Sequence, residues 1–167
     1  MKMIIRKATI QDLVEYTDCV IASWQSAYKG IVPDEYLNGM LADNKRQQLE
    51  KNKKALTEPG DCEYYCAIYE RKMIGILVIN KNHIENFWAI YLIEEFWGKG
   101  YGKEILDFAI NELKCAGHKK ICLWVFEDNK RARRFYEKNG FNYEGINKVV
   151  YKYGGVPLTE LQYVLNL

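Results

Sequence analysis

The sequence predicts an α/β (α+β) fold in which helices pack on a mixed β-sheet, within a single domain that spans residues 1–167. The length suits one domain, because a domain of about 150 residues buries one continuous core. Hydrophobic residues make up 49% of the chain and charged residues 28%, which is typical of a folded globular protein. The apolar spacing alternates along the chain between the periods of strands and helices, which indicates mixed secondary structure.

The N-terminal third is predicted to hold one strand followed by three helices. Residues 3–7 predict the strand. Thr9 and Asp12 stand three residues apart, as in a capping box, and mark the start of the first helix. The three helices are expected at residues 10–28, from Pro33 onwards, and at residues 43–56.

The rest of the chain is predicted to alternate between strands and helices. Residues 87–93 form an unbroken apolar run, which indicates a strand that is buried on both faces. The other elements, in order, are a hairpin with strands at 63–69 and 73–80, a helix that ends near Gly117, a strand at 121–126, a helix at 128–139, and a hairpin at 141–167 broken at Gly154 and Gly155. This order gives one mixed sheet with helices packed on it.

Charge and cysteine content exclude several classes of protein. The 24 Lys and Arg residues exceed the 22 Asp and Glu residues by only two, so no nucleic-acid partner is expected. Five cysteines fit neither a disulfide framework nor a zinc site, so we expect reduced thiols and no metal. The N-terminal residues contain no apolar stretch long enough for a signal peptide, and the chain contains no run of about 18 apolar residues. We therefore expect a cytoplasmic protein without a membrane partner.

Residues 96–103, which we call the glycine turn, lie between the predicted strand at 87–93 and the following helix. Gly98, Gly100 and Gly102 let the main-chain amides point inwards, and the helix N-terminus adds a positive dipole end. The turn is therefore predicted to bind anionic oxygens such as those of a diphosphate. The alternative is a tight turn without a ligand. The spacing departs from both the dinucleotide-binding fingerprint and the Walker loop.

The segment 128–139 is the second candidate for chemistry. Asn129, Ala132 and Tyr136 fall at positions i, i+3 and i+7, and therefore on one face of a helix. An amide, a small residue and a phenol in this arrangement are able to hold and protonate a ligand. The alternative is that Tyr136 is an ordinary core aromatic residue.

Together the two segments resemble the GCN5-related N-acetyltransferase (GNAT) superfamily. Its cofactor signature, [QR]-x-x-G-x-[GA] after a strand of the type L-Y-V-x-P-E, overlays residues 90–102, with Trp97 in place of Gln or Arg. Its second motif, N-x-x-A-x-x-x-Y followed by x-x-x-G-F, overlays Asn129 to Phe141. The order of the elements also fits from residue 3 to the C-terminus.

The resemblance implies a centrally splayed sheet with acetyl-coenzyme A (acetyl-CoA) as cosubstrate, lodged between the strands near 87–93 and 121–126. Its pantetheine arm would pair with the main chain around Leu92, and its diphosphate would lie on the amides of the glycine turn. Lys130 and Arg134 are further candidates for its ribose phosphate. The cofactor-binding residues that the resemblance implies are Tyr91, Leu92, Trp97, Gly98, Lys99, Gly100, Tyr101, Gly102, Lys103, Asn129 and Arg133.

Tyr136 matches the family's general acid. Acetyl transfer to an amine leaves a thiolate that must be protonated, and a phenol with a pKa of about 10 is able to do this. The resemblance also implies direct transfer in a ternary complex, without an acyl-cysteine. None of the five cysteines stands at a motif position.

Glu85 is the sequence's candidate for the general base. An amine with a pKa of about 10.4 is neutral only about once in a thousand at pH 7, so a base is needed. Family members carry a glutamate where this chain has Asn86 or Trp88. Glu85 is one residue away and points to the opposite face unless a bulge redirects it, so Tyr91 and His83 remain alternatives.

Trp24 and Tyr28 are the candidates for acceptor binding. The resemblance places substrate selection in the first helices and the C-terminal hairpin, where Tyr36 and Leu37 also lie. The alternative is that these residues belong to the core.

The expected activity is therefore acetyl-CoA-dependent N-acetyltransfer to a primary amine of a small molecule or peptide. A homodimer is compatible with this function. Two alternatives remain open at this point. One is a non-catalytic module of the same fold that binds or senses acyl-CoA, and the other is a nucleotide-binding protein.

Overall fold

The computed structural model describes residues 2–39, 45–83 and 87–167, except for the side chain of Trp88. Within these ranges the seven strands form two antiparallel sheets. The first sheet has the order β1 (Ile4–Lys7), β2 (Cys62–Tyr69), β3 (Lys72–Asn80) and β4 (Phe87–Leu92). The second has the order β5 (Lys120–Phe126), β7 (Leu158–Asn166) and β6 (Asn142–Val150).

The helices agree with the sequence analysis to within a few residues at each end. They are α1 (Leu13–Ala27), α2 (Asp34–Gly39), α3 (Lys45–Thr57), α4 (Tyr101–Cys115) and α5 (Lys130–Lys138). A single 3-10 turn at Ile10–Asp12 precedes α1. The predicted capping box is present there, since the Thr9 amide donates to the Asp12 carboxylate at 2.8 Å.

Helices α1 and α4 pack on opposite faces of the first sheet. The side chains of β3 alternate between two apolar clusters, with Ile74 and Ile79 on the α4 side and Ile76 and Val78 on the α1 side. On the α4 side, the apolar face of α4 is fully buried at Ile105, Leu106, Ala109 and Leu113. This packing fixes the direction of α4, and therefore the position of the glycine turn at its N-terminus.

Strand β4 differs from the prediction that both of its faces are buried. Ala89, Ile90, Tyr91 and Leu92 are only half-buried. The reason is that β4 is the last strand of the first sheet and contacts β5 of the second, while the two strands belong to different sheets. Part of the apolar run at 87–93 thus faces a gap between the sheets instead of lying in the core. This separation is the central splay that the resemblance implied.

The described residues contain no helix that is both long and apolar enough to cross a membrane. They also contain no cluster of three or more His, Cys, Asp or Glu side chains suited to a metal ion. The five cysteines are free thiols, and of these Cys115 is exposed.

Candidate active site

A cleft of about 870 Å³ opens where the two sheets separate. Strands β4 and β5 line it, together with residues from the glycine turn, α1, α5 and the β6–β7 hairpin. Both motifs that the sequence analysis singled out therefore reach one cavity. We call residues 97–103 with Asn129 and Arg131 the turn side of the cleft. The hairpin side consists of Trp124, Lys148, Lys152, Tyr153 and Glu160.

The glycine turn depends on glycine for its backbone conformation at two positions. Gly98 has φ +71° and Gly100 has φ +92°, both in the left-handed region that a side chain strains. Gly102 is different, because its φ is ordinary and a Cβ there would meet Phe135 at a normal contact distance of 3.6 Å. All three glycines line the cleft, so the main chain of the turn is open to it.

The amides of residues 98–102 are available to a ligand. The Gly100 carbonyl accepts from the amides of Lys103 at 2.9 Å and Glu104 at 3.2 Å, and so begins α4. Across the described parts of the chain, no protein acceptor takes a hydrogen bond from the five preceding amides. Unpaired amides at a helix N-terminus bind anions, because the donors and the helix dipole act together. The turn thus fits a diphosphate.

Trp97 and Arg131 connect the two segments across the turn side. The Trp97 indole donates to the Leu92 carbonyl at 2.8 Å, and the Arg131 guanidinium lies 3.5 Å from the Trp97 ring centre. Partial burial lowers the pKa of Arg131. Sequence reasoning missed Arg131. The available signal was Trp97 itself, since an aromatic ring at a position that is usually polar favours a cation partner.

Asn129 is buried and begins α5. Its side-chain oxygen accepts from the Ala132 amide at 3.1 Å, which satisfies one of the free donors at the helix start. Its side-chain NH₂ group has no protein partner among the described residues and is not sealed from the cleft. Asn129 therefore combines a capping role with a donor that a ligand is able to use.

Tyr136 lies on the same helix with its ring packed and its hydroxyl open. Phe87, Phe135 and Phe141 surround the ring, with centre-to-centre distances of 5.3 to 6.3 Å. Among the described residues no protein group binds the hydroxyl, and the hydroxyl is not sealed off from the cleft. Burial raises the pKa of Tyr136, so the phenol keeps its proton at neutral pH. It is able to donate that proton into the cleft.

Tyr28 and Tyr91 line the same cleft as Tyr136. Their hydroxyl oxygens are 3.4 Å apart, and burial raises the pKa of both phenols. Trp24 packs edge-on against Tyr28 at 4.8 Å but does not itself line the cleft. Of the two predicted acceptor-binding residues, Tyr28 therefore reaches the cleft, and Trp24 supports it from behind.

The hairpin side carries charged groups that the sequence analysis did not identify. In the strand register Lys148 faces Glu160, and Glu160 faces Phe126, so their side chains share one face of the second sheet. The Lys148 ammonium lies 3.5 Å from the Glu160 carboxylate and 3.7 Å from the Trp124 ring centre. Glu160 is the one carboxylate among the described residues that line the cleft.

The structure brings most of the predicted site residues together. Those that line the cleft are Tyr28, Tyr91, Leu92, Trp97, Gly98, Gly100, Gly102, Lys103, Asn129 and Tyr136. Glu85 and Asn86 lie outside the described residues, as does the side chain of Trp88. His83, Lys130 and Arg134 are described but do not line the cleft.

Three predicted cofactor-binding side chains are directed elsewhere. The Arg133 guanidinium binds the Tyr163 hydroxyl at 3.1 Å and the Glu127 carbonyl at 3.0 Å. The Lys99 ammonium lies over the Phe96 ring, and Tyr101 packs against that ring and Tyr69. None of the three lines the cleft, so any contribution from Lys99 and Tyr101 is limited to main-chain amides.

Comparison with known proteins agrees with this geometry. The sequence model of the acetyltransferase (GNAT) family matches residues 23–141, which is more than half of the chain. The chain therefore belongs to the GNAT family and is an N-acetyltransferase. The resemblance and the fold class inferred from the sequence are both confirmed.

Its relatives include proteins with named acceptors. The spermine/spermidine N(1)-acetyltransferase of Bacillus subtilis (strain 168) is 30% identical over 121 residues, which cover 63% of this chain and 78% of that protein. The spermidine N(1)-acetyltransferase of Thermoplasma acidophilum is 28% identical over 149 residues, covering 86% and 91%. The crystal structure of the PaiA N-acetyltransferase from Thermoplasma acidophilum in complex with coenzyme A has a TM-score of 0.79 at 24% identity, and the match covers 100% of both chains.

Proposed function

We propose that the chain, acting as one domain over residues 1–167, transfers an acetyl group from acetyl-CoA to a primary amine of a small molecule or peptide. The transfer is direct, within a ternary complex. The observation that carries the proposal is that one cleft combines the free amides of the glycine turn with the open hydroxyl of Tyr136. The first group fits a diphosphate, and the second fits a leaving thiolate.

The residues of the turn side fit acetyl-CoA. The amides of residues 98–102 would hold its diphosphate. Strand β4 is the edge of its sheet, so its outer main-chain groups are able to pair with an extended pantetheine arm. Trp97 already binds the Leu92 carbonyl, but a carbonyl has two lone pairs and retains one for a ligand. The free NH₂ group of Asn129 and the cation of Arg131 face the same space.

The chain's own residues then account for the transfer. Acetyl-CoA supplies an acetyl group activated as a thioester. Tyr136 donates its proton to the departing sulfur, and burial keeps the phenol protonated so that the proton is available for this step. The acceptor ammonium loses its proton before the transfer. Glu85, which the sequence suggests for this step, lies outside the described residues.

The experiment is to incubate the purified full chain with acetyl-CoA and a panel of amines, and to measure acetylated product by mass spectrometry. The panel includes spermidine, because two relatives are named for it, as well as monoamines and a lysine-containing peptide. We expect product with at least one primary amine and none with a tertiary amine of the same size. We also expect the melting temperature to rise with the concentration of coenzyme A.

Two results would contradict the proposal. The first is the absence of a melting shift at millimolar coenzyme A, which would remove the assigned role of the glycine turn. The second is tight binding of coenzyme A without product from any primary amine. That result would favour a module that binds acyl-CoA without catalysing transfer.

A further inference from the structure

On the hairpin side of the cleft, a lysine ammonium lies between an aromatic ring and a carboxylate. The ammonium of Lys148 lies 3.7 Å from the centre of the Trp124 ring and 3.5 Å from a carboxylate oxygen of Glu160. An indole face and a carboxylate that converge on one point are what proteins use to hold an ammonium group. All three residues line the cleft. The position is therefore an ammonium site that the chain itself fills.

The fold holds Glu160 firmly in this site, whereas Lys148 is held only loosely. The Glu160 side chain is 11% exposed and lies on β7, the central strand of the second sheet. The Lys148 side chain is 42% exposed and lies on β6, an edge strand whose residues are nearly all exposed. A flexible lysine on an exposed strand leaves a site at little packing cost, whereas Trp124 and Glu160 stay in place.

The site lies close to the place of acetyl transfer. Glu160 faces Phe126 in the strand register, and the Phe126 ring is 5.2 Å from the Tyr28 ring. The Tyr28 hydroxyl is in turn 3.4 Å from the Tyr91 hydroxyl. Tyr28, Tyr136 and Glu160 all line this one cleft.

We propose that Trp124 and Glu160 bind a second ammonium group of the acceptor, and that this ammonium displaces Lys148. The inference rests on the proposed function and specifies its substrate class: diamines and longer polyamines that carry one reacting amine and one distal ammonium. Lys148 then acts as an internal competitor. It keeps the buried carboxylate neutralised in the free enzyme and weakens the binding of amines that lack a second charge.

The excess of positive charge on the hairpin side supports a competing interpretation of this site. Lys148 and Lys152 both line the hairpin side, where Glu160 supplies the one carboxylate found among the residues that the structure describes. Two lysines would also suit an acceptor that bears a carboxylate, in which case Lys148 would bind the acceptor directly. The two interpretations predict opposite effects when Lys148 is removed, so one variant separates them.

The test compares pentane-1,5-diamine with pentan-1-amine as acceptors, using the ratio of their kcat/KM values as the readout. In Lys148→Met, which keeps an unbranched stem beside Trp124, we expect the diamine-to-monoamine ratio to rise about fivefold. In Glu160→Gln we expect it to fall about tenfold. Lys152→Met removes the same charge without opening the site, and we expect a change of less than about twofold.

Three results would overturn the proposal. One is a ratio that rises equally in Lys148→Met and Lys152→Met, which would show only a general effect of charge. Another is a lower ratio in Lys148→Met with weaker use of 5-aminopentanoate, which would favour the carboxylate-bearing acceptor. The third is an equal loss of kcat for both amines in Glu160→Gln, which would make Glu160 part of the proton transfer.

Direct binding keeps this test separate from the test of the proposed function. Calorimetric titration with pentane-1,5-diamine alone requires no acetyl transfer. We expect tighter binding by Lys148→Met than by the wild-type chain, and weaker binding by Glu160→Gln. Failure of this order overturns the ammonium site even if acetyl transfer is found. Conversely, the order supports the site even if the proposed reaction fails.

Discussion

The two sides of the cleft recognise their ligands in different ways. The turn side uses the main chain of one short segment, together with the first turn of α5. The hairpin side uses side chains from β5, β6 and β7, which are brought together by the register of the second sheet. Recognition by the main chain tolerates side-chain replacement, as Trp97 illustrates. Recognition by side chains changes with each substitution, so we expect acceptor choice to be set on this side.

The electrostatics of the two sides differ in the same way. On the turn side the free donors are mainly amides, with the guanidinium of Arg131 held against Trp97, and Lys103 is already paired with Asp107. On the hairpin side the groups are full charges, with Lys148 beside Glu160. Fixed amide dipoles do not titrate and cannot swing away, whereas a lysine can. We therefore expect the turn side to be preformed and the hairpin side to rearrange when an acceptor binds.

The largest expected effect lies at Tyr136, where the two sides meet. In Tyr136→Phe we expect kcat to fall about a hundredfold, because the departing sulfur loses its proton donor. The KM for acetyl-CoA should change less than about threefold, since the ring stays packed between Phe87, Phe135 and Phe141. Steady-state kinetics with both substrates varied measures the two parameters separately. Equal kcat in both proteins would remove Tyr136 from the reaction.

The pH profile gives a second check on Tyr136. Burial raises the pKa of this phenol, so the protonated form that acts as the acid persists as the pH increases. We expect kcat to rise with pH as the acceptor amine loses its proton, without a falling limb below about pH 10. A decline that begins near pH 8, absent from Tyr136→Phe, would show that the phenol has a lower pKa than its surroundings imply.

The contrast between the two sides also explains which features were predictable from the sequence. The glycine turn and the Asn129–Tyr136 helix are local patterns, so their residues carry the signal wherever the fold places them. The Lys148–Glu160 pair joins residues twelve positions apart through a hairpin register with an irregularity between Tyr143 and Asn147. Because one residue of slippage moves a side chain to the other face, the sequence alone did not identify that pair.

Two further differences between the sequence-based predictions and the structure have similar physical causes. Apolar residues at 87–93 were predicted to be buried on both faces, because an apolar run does not distinguish a core strand from one that lines a cleft. Arg133 was assigned to the cofactor because it is cationic and lies within the motif. Its neighbour Arg131 faces the cleft instead, and the Tyr163 hydroxyl holds Arg133 away from it.

The second-largest effect is expected at Gly100, where a substitution tests recognition by the main chain on the turn side. Gly100→Ala places a side chain at φ +92°, which we expect to cost about 1–2 kcal/mol of unfolding free energy and to raise the KM for acetyl-CoA about tenfold. Gly102→Ala is the matched control. Its φ is ordinary and it lies inside α4, so we expect unchanged or slightly higher stability.

The KM for the acceptor should stay within about twofold in both variants. Denaturant unfolding and steady-state kinetics measure these changes. Equal losses in the two variants would show that space in the cleft, rather than backbone conformation, limits binding.

The smallest expected effect lies at Asp12, which is remote from both sides of the cleft. Its carboxylate accepts from both terminal nitrogens of Arg6, at 2.8 and 2.7 Å, and from the Thr9 amide. The hydrogen bonds from Arg6 are the main reason that the pKa of Asp12 lies below its usual range. In Asp12→Asn we expect a loss of about 1–2 kcal/mol of unfolding free energy at pH 7, with both KM values unchanged.

The pH dependence of that loss follows from the direction of the pKa change at Asp12. A carboxyl whose pKa is lowered in the folded state stabilises the fold above its unfolded pKa of about 4, and this stabilisation disappears as the pH falls through the lower folded pKa. The difference in unfolding free energy between the wild-type chain and Asp12→Asn should therefore become steadily smaller below about pH 4. Asp18→Asn, which breaks an exposed pair with Lys45, should cost less than about 0.5 kcal/mol. Urea unfolding between pH 7 and pH 2.5 measures both variants. If the difference in unfolding free energy stayed constant over this range, Asp12 would stabilise the fold through its packing rather than its charge. A change in either KM would show that a loss of stability alone affects the cleft.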